Sequence, residues 1–357
     1  MLIVRSPVRI SFAGGGTDLP AYFKEFGGAV LSTAIDTYSY TILGERRDGR
    51  VQVISSEQRI FETWQDIVAI RTKGDELEIP LAVLKDLGRD IALDMFLVSE
   101  IPAGTGLGSS ASACVGILRA LTAHLQIPLS QYELAERSFH IVRNLLGRQI
   151  GKQDGYAAAF GGLNFVTFYR DGGVLVEPLA LDTEIIRELQ SNLLLYFTGS
   201  APHSWAIVKG QQKTMSDHTH SAVDALHKVR KLADRMREAL GSGNLAAFGS
   251  MLDEVWQAKK RVSRGISTSR IDQLYRLARE HGALGGKITG AGGGGCLLLY
   301  CEPKHQESVR VAMASTGINE MTFAFDSQGA QVIVNDSPVV SNEQVRRRRT
   351  VTPSSAA

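Results

Sequence analysis

Between Pro102 and Ser112 the chain runs Pro-Ala-Gly-Thr-Gly-Leu-Gly-Ser-Ser-Ala-Ser. Glycine at alternate positions lets backbone N–H groups crowd around an anion, because no Cβ blocks the approach. The stretch from Ser112 to Gln126 is apolar at helical spacing, so the loop feeds a helix N-terminus. Its partial positive charge and unpaired donors suit phosphate. No Asp or Glu stands between Glu100 and Glu133 to repel a polyphosphate. The loop lacks the Gly-Lys-Ser/Thr of a Walker A loop and the spacing of a dinucleotide fingerprint. It reads as a nucleotide cradle of another kind, with a plain Gly/Ser turn as the alternative.

Two further segments carry chemistry. Gly285 to Gly295 has seven glycines in eleven positions and is followed by the apolar run Cys296–Tyr300, which reads as a buried strand. So many glycines would weaken a core element, but they suit a backbone that turns sharply and approaches a ligand. Arg5 to Pro20 is a short apolar strand running into Gly14-Gly15-Gly16-Thr17-Asp18. Asp18 can accept hydrogen bonds from hydroxyl groups, or cap a helix beginning near Pro20. Arg9 can neutralise an anion.

In this order the three segments resemble the GHMP family of small-molecule kinases, over about residues 1 to 336. Within the family the chain is similar to the bacterial D-glycero-D-manno-heptose 7-phosphate kinases. That similarity is carried by Phe12 to Pro20, Gly151-Lys152-Gln153-Asp154, Gly161 to Phe165, and Trp256 to Lys259 ahead of Gly265-Ile266-Ser267. Galactokinases have Gly-Glu-His-Thr-Asp where Gly14 to Asp18 stand, which argues against plain galactose.

The resemblance implies an α+β, two-lobed fold, with a ribosomal-protein-S5-domain-2-like N-terminal lobe and a ferredoxin-like C-terminal lobe. The expected division is an ATP-binding domain over 1–184, a second domain over 185–340 and a disordered tail over 341–357. It also implies ATP, a magnesium ion and phosphate transfer to the anomeric hydroxyl of a heptose 7-phosphate. The 1,7-bisphosphate would serve nucleotide-activated heptose and surface polysaccharide. Asp154 falls on the family's catalytic aspartate, with Arg9 beside it and Lys152 as a nearby cation. Pro102, Gly104, Gly106, Leu107, Gly108, Ser109 and Ser110 fall on the ATP loop, Ser110 also meeting the metal. Asp18, Gly15, Gly16, Thr17, Gly290, Gly292 and Gly293 fall on the acceptor side.

The residue types fit that chemistry. Phosphoryl transfer needs positioning and charge neutralisation more than covalent help, and a carboxylate in reach of a hydroxyl can take its proton. Lys152 or Arg9 would hold Asp154 ionised. Asp154 as a mere cap of the helical stretch from Tyr156 is the alternative. A cationic pocket for the acceptor's own phosphate has Lys152, Lys209, Lys213, Lys259 and Lys260 as candidates, each taken singly a solvated surface lysine.

Two positions depart from the family. Gly155 stands where the subgroup has Gln. A magnesium-binding Glu is expected eleven or twelve residues before Asp154, where Val142 and Arg143 stand, and Glu136 lies a helical turn or more away. Magnesium is then held by Ser110, phosphates and water, or Glu136 reaches in, or catalysis is impaired. A kinase for fucose, a galactose-like sugar or an N-acetylhexosamine, and a weakly catalytic ATP- and sugar-binding sensor, are the readings left open.

At 357 residues, with 21% charged residues and a formal net charge of +2, the chain suits a globular enzyme without a global basic field for nucleic acid. Three cysteines without metal-ligand spacing point to a reducing cytoplasm. Arg5 and Arg9 interrupt any signal-peptide core, and no apolar run reaches membrane-span length. A small-molecule sugar phosphate is therefore the expected partner, with neither nucleic acid nor membrane, and a homodimer is among the expected states. Strands are expected at Leu2–Val4, Tyr38–Leu43, Val51–Ser55, Met95–Val98, Leu163–Phe168, Leu193–Thr198 and Val332–Val334. Helices are expected at Ala111–Gln126, Gln131–Leu146, Asp217–Leu240, Leu245–Ser263 and Ser269–His281. In the Asp217 helix Val223, Leu226, Val229, Ala233, Met236 and Leu240 form one apolar stripe, read as core. His218 and His220 have no companion ligand, the loop at Pro202, His203 and Ser204 departs from the subgroup's Arg, and Arg346 to Arg349 belong to the tail.

Overall fold

The computed structural model describes residues 1–65, 77–89, 91–102, 104–199, 220–263 and 265–336. In chain order the first part holds β1 (Leu2–Ala13), α1 (Pro20–Phe26), β2 (Gly28–Glu45), β3 (Val51–Ser55), β4 (Ile60–Trp64), α2 (Glu78–Leu87) and β5 (Leu93–Ser99). Then come α3 (Ser109–His124), α4 (Gln131–His140) with a π turn over Ile141–Leu145, α5 (Gln153–Phe160), β6 (Leu163–Phe168) and β7 (Val174–Pro178). The second part holds α6 (Thr183–Ser191), β8 (Leu193–Phe197), α7 (His220–Gly241), α8 (Leu245–Lys260), α9 (Ser269–Glu280), β9 (Gly285–Ile288), β10 (Cys296–Tyr300), α10 (Pro303–Ala314) and β11 (Asn319–Met321). The last strand is β12 (Gln331–Asn335).

The larger sheet runs β12-β1-β2-β5-β3-β4, with β6 and β7 branching from β2. That branch is possible because β2 is 18 residues long: Gly28 to Thr33 pairs with β6, and Ser39 to Glu45 pairs with β5. Helix α3 lies against β1 and β2, and Gly116 allows the close contact, since a Cβ there would stand 3.2 Å from that of Ser6. The smaller sheet, β11-β8-β10-β9, is antiparallel throughout. Mixed helix and sheet in two layered parts is the expected α+β architecture.

The α7 stripe faces the core as expected: Leu226, Val229, Ala233, Met236 and Leu240 are buried, while Lys228, Lys231, Arg235 and Glu238 are exposed. One placement differs from the expected division. The expected division puts the strand at Val332–Val334 in the second part, yet β12 bonds to β1 and closes the edge of the first sheet. Partner choice between distant strands is a tertiary matter that local pattern does not encode. All three cysteines are free and buried, and burial pushes the Cys114 and Cys296 thiols up to about 12. No described helix is long and apolar enough to cross a membrane. Pro202, His203, Ser204, Lys209, Lys213, His218, the His220 side chain and the tail 341–357 lie outside the described residues.

Candidate active site

Two glycine loops meet backbone to backbone. Gly106 has φ +74°, and a Cβ on it would stand 2.6 Å from the Thr289 carbonyl oxygen; one on Gly290 would stand 2.6 Å from the Gly106 Cα. Cys296 N–H donates to the Thr105 carbonyl (2.9 Å), and the Thr289 hydroxyl donates to the same oxygen (3.2 Å). The loop over Gly104–Gly108 is thereby docked on the one that joins β9 to β10. It then enters α3 through Gly108, whose N-cap position has no side-chain cap, and the first turn of α3 holds no acidic residue. The first N–H groups of α3 are left for an anion.

At the mouth of that helix stands Asp154, in the first turn of α5. Arg9, on β1 and only 3% exposed, donates to Asp154 Oδ1 from Nε (2.8 Å) and from a terminal nitrogen (2.6 Å). Its other terminal nitrogen donates to the Gly106 carbonyl at 2.7 Å. One guanidinium thus ties the carboxylate to the phosphate loop, and Arg9 engages a single carboxylate oxygen, not both. Asp18 lies in the same cavity. Gly16 N–H donates to its Oδ1 (2.9 Å) and Gln153 N–H to its Oδ2 (3.2 Å). Burial raises its carboxyl above the usual range, the Asp154 charge adds to this, and the two N–H donors oppose it. Gly151 packs over it so closely that a Cβ would fall 1.8 Å from Asp18 Oδ2.

Arg9, Asp18 and Asp154 share this cavity with Gly15, Gly16 and Gly290, and with Gly104, Gly106, Gly108, Ser109 and Ser110. Other expected members are elsewhere. Lys152 is not beside Asp154 as expected: its ammonium turns away to Glu136 (2.6 Å) and to the Gly172 carbonyl (2.9 Å). Thr17 is fully buried and bonds to the Gly14 and Ala29 carbonyls, a turn lock rather than an acceptor contact. Leu107 is core, offering only its carbonyl to Arg9 N–H. Gly293 donates to the Ile266 carbonyl, Gly292 packs on the same residue, and neither they nor Pro102 line the cavity.

Glu136 does not reach the phosphate loop either. Its carboxylate takes Lys152 and the Tyr156 hydroxyl (2.5 Å). Val142, at the position where an acidic residue was expected, lines the cavity as an apolar wall. Gly155 has a packing reason: a Cβ would stand 3.3 Å from the Ala135 carbonyl, where α5 crosses α4.

The residue that sequence weighed least well is Lys259, near the end of α8. It lines the cavity, is 5% exposed, and donates to the Gly290 carbonyl. Burial, with Arg9 adding, brings its ammonium down to about 8 against the pull of Asp18 and Asp154. Behind it Lys287 on β9 is equally buried and donates to the Ser11 carbonyl at 2.5 Å. Burial pushes Lys287 well below the ordinary lysine range, with Lys259 and Arg9 adding. Lys260, by contrast, turns to Asp272 at 3.6 Å. A Lys-Lys pair closing an amphipathic helix carries no signal of which member points inward.

Comparison with known proteins bears on this geometry. A family model described as the GHMP kinases N terminal domain matches residues 78–162, and one described as GHMP kinases C terminal matches residues 236–319. The D-glycero-alpha-D-manno-heptose 7-phosphate kinase of Campylobacter jejuni is 30% identical over 92% of this chain and 97% of its own length. The chain belongs to the GHMP kinase family. This GHMP kinase also superposes on a crystal structure described as a D-glycero-D-manno-heptose 1-phosphate kinase from Bacteroides thetaiotaomicron. The TM-score is 0.79 at 28% identity, covering 94% of this chain and all of that one. The L-fucokinase/L-fucose-1-P guanylyltransferase of Bacteroides fragilis is 26% identical over 86% of this chain, which spans 35% of that longer protein.

Proposed function

We propose that this GHMP kinase transfers the terminal phosphoryl group of ATP to the anomeric hydroxyl of D-glycero-D-manno-heptose 7-phosphate. One observation carries the reading: Asp154, gripped on one oxygen by buried Arg9, stands between an uncapped helix N-terminus and the buried acceptor-side carboxylate Asp18. The heptose itself is taken from the names of the relatives. Those names differ, one stating a 7-phosphate kinase and the other a 1-phosphate kinase, so the position of the new phosphate must be read from the product.

The cradle fits a polyphosphate, because its glycines exclude any Cβ at the close contacts and the α3 N–H groups are uncapped. For magnesium, no group of three His, Cys, Asp or Glu among the described residues makes a cage. The cation commonly keeps waters and relies on substrate phosphates, so Ser110 is the residue that would hold it, and it would supply neutralisation of phosphate charge.

The remaining work falls to the chain. Asp18 orients an acceptor hydroxyl. Asp154 accepts the proton of the attacking hydroxyl on the oxygen that Arg9 leaves. Lys259 faces the phosphoryl group in transfer and offsets its charge, preorganised by Gly290 and shielded from water. Arg148, on the cavity wall and paired with Glu78, is the cation available to the acceptor's own phosphate. The buried thiols and the use of ATP support a cytoplasmic setting, and the reading keeps 1–184 and 185–340 as its two lobes, with β12 returned to the first sheet.

The test is a mass-spectrometric product assay with Mg·ATP and the heptose 7-phosphate, beside free fucose, galactose and N-acetylhexosamines. A 1,7-bisphosphate located by phosphorus NMR supports the reading, whereas transfer only to a free sugar replaces it. A second measurement addresses Lys259. Because its ammonium titrates near 8, it is charged below that pH and loses its charge above it. The kcat/KM for the acceptor should fall along an alkaline limb with a midpoint of about 8. Lys259→Arg should move that limb upward, and Lys259→Met should lower kcat and flatten it. An unchanged limb in both variants would remove Lys259 from the mechanism.

A further inference from the structure

The outer face of the larger sheet carries one continuous apolar row. Strand registers set Val334, Ile3, Ile42, Phe96, Ile54 and Phe61 side by side across β12, β1, β2, β5, β3 and β4. Paired residues project to one face. Ser6 and Thr41, which lie next in the alternation, face Gly116 of α3, so the row looks the other way. Phe96 is 39% and Phe61 71% exposed, and Val98, beside Tyr40, widens the band at 40%. A sheet face left to water ordinarily alternates to polar residues.

Polar borders flank the row. On one side Arg46 donates to Asp94 Oδ1 (2.6 Å) and Gln52 Oε1 (3.2 Å) and also holds Asp48. On the other side the Tyr40 hydroxyl donates to Glu100 at 3.1 Å, and Arg5 stacks over Tyr38. Arg5 makes no salt bridge among the described residues, whereas Asp48 and Asp94 share Arg46. An apolar strip between polar margins is the anatomy of a protein interface.

We propose that this face docks a second copy of the chain, sheet on sheet, about a two-fold axis running along the row. Such an axis returns each row residue onto its own counterpart, so apolar meets apolar, and it exchanges the borders. Glu100 of one copy then lies beside Arg46 of the other, because Arg46 N–H bonds to Ala92, and Ala92 and Glu100 stand equally far from Phe96 on its two sides. That is the self-complementarity an isologous contact requires. Six strands about 4.8 Å apart, each contributing a segment of about 17 Å, give a face on the order of 500 Å² in projection. Side-chain relief carries its accessible area towards the roughly 800 Å² per partner of a standard interface.

The experiment is sedimentation velocity on the full chain at micromolar concentrations, followed by oxidation of cysteine variants. A species of twice the chain mass is expected, and Phe96→Glu or Phe61→Lys should return it to the chain mass with kcat unchanged, since neither residue lines the cleft. The native cysteines are buried, so Phe96→Cys, on the axis, should give a disulfide-linked dimer, while Thr63→Cys, on a border, should not. A monomer throughout, a dimer that survives both charge variants, or a dimer that Phe96→Cys fails to link would overturn the proposal. If the full chain is monomeric and deleting residues 337–357 makes the protein bind a hydrophobic dye, the face belongs to the chain's own C-terminal segment instead.

Discussion

Asp154→Asn is expected to lower kcat by about 10²–10⁴-fold, the range that a positioned general base supplies, with little change in KM for ATP. The substitution keeps the shape of the side chain, and the amide oxygen can still accept from Arg9 in place of Oδ1. What it loses is the capacity to take a proton. Asp154→Ala separates this from a positioning role. It strands a guanidinium that is 3% exposed with only the Gly106 carbonyl as a partner. A buried charge that loses its partner costs on the order of 3 kcal/mol or more, discounted here because Asp154 itself is about a third exposed. Alanine should therefore lower both Tm and kcat, while Asn lowers kcat alone. Thermal denaturation and single-turnover kinetics on the two variants make the comparison. If Asn retains most of the rate, Asp154 serves to hold Arg9, and the sensor-like reading gains ground.

Much of the cleft was legible because its chemistry sits in glycine-rich loops, where a charged residue has little else to do. Arg9 and Asp18 stand out in such context, whereas Asp154 and Ser110 are placed by the resemblance to GHMP kinases, and the four converge on one cavity. Lys152 misled for a geometric reason. Two positions apart at the start of a helix are roughly 200° apart around its axis, so a lysine that is close in sequence to Asp154 points the opposite way. Thr17 misled similarly, since a threonine in a polar motif can turn inward to lock the backbone.

Lys259 reads from the sequence only as one of five candidate lysines, and Lys287 not at all, because burial of a lysine is a property of the assembled lobes. Each lies on an element whose local pattern is that of an ordinary helix end or strand. In β2 the sequence pattern marks only Tyr38 to Leu43 as strand, since Gly28 to Ile35 is buried on both faces and shows no alternation. The place of β12 in the first sheet was equally hidden, because the strand was visible and its partner was not.

Gly106→Ala is expected to cost about 10²-fold in kcat, the scale of a misplacement on the order of 1 Å in a positioned site. Two penalties act at this residue and can be told apart. The first is conformational, since an L-residue at φ +74° pays roughly 1–2 kcal/mol. The second is steric, because the new Cβ would stand 2.6 Å from the Thr289 carbonyl, a backbone atom that cannot swing aside. Relief requires the two glycine loops to part, and the Gly106 carbonyl that anchors Arg9 moves with them. The displacement passes through Arg9 to Asp154, so the chemical step suffers as well as ATP binding. Gly49 supplies the control, with φ +76° and open space around it. Gly49→Ala carries the first penalty without the second and should lose stability while keeping kcat. Parallel measurement of Tm, ATP affinity and kcat on the two variants decides the matter. Equal behaviour would mean that the contact between the loops contributes nothing to holding the catalytic pair.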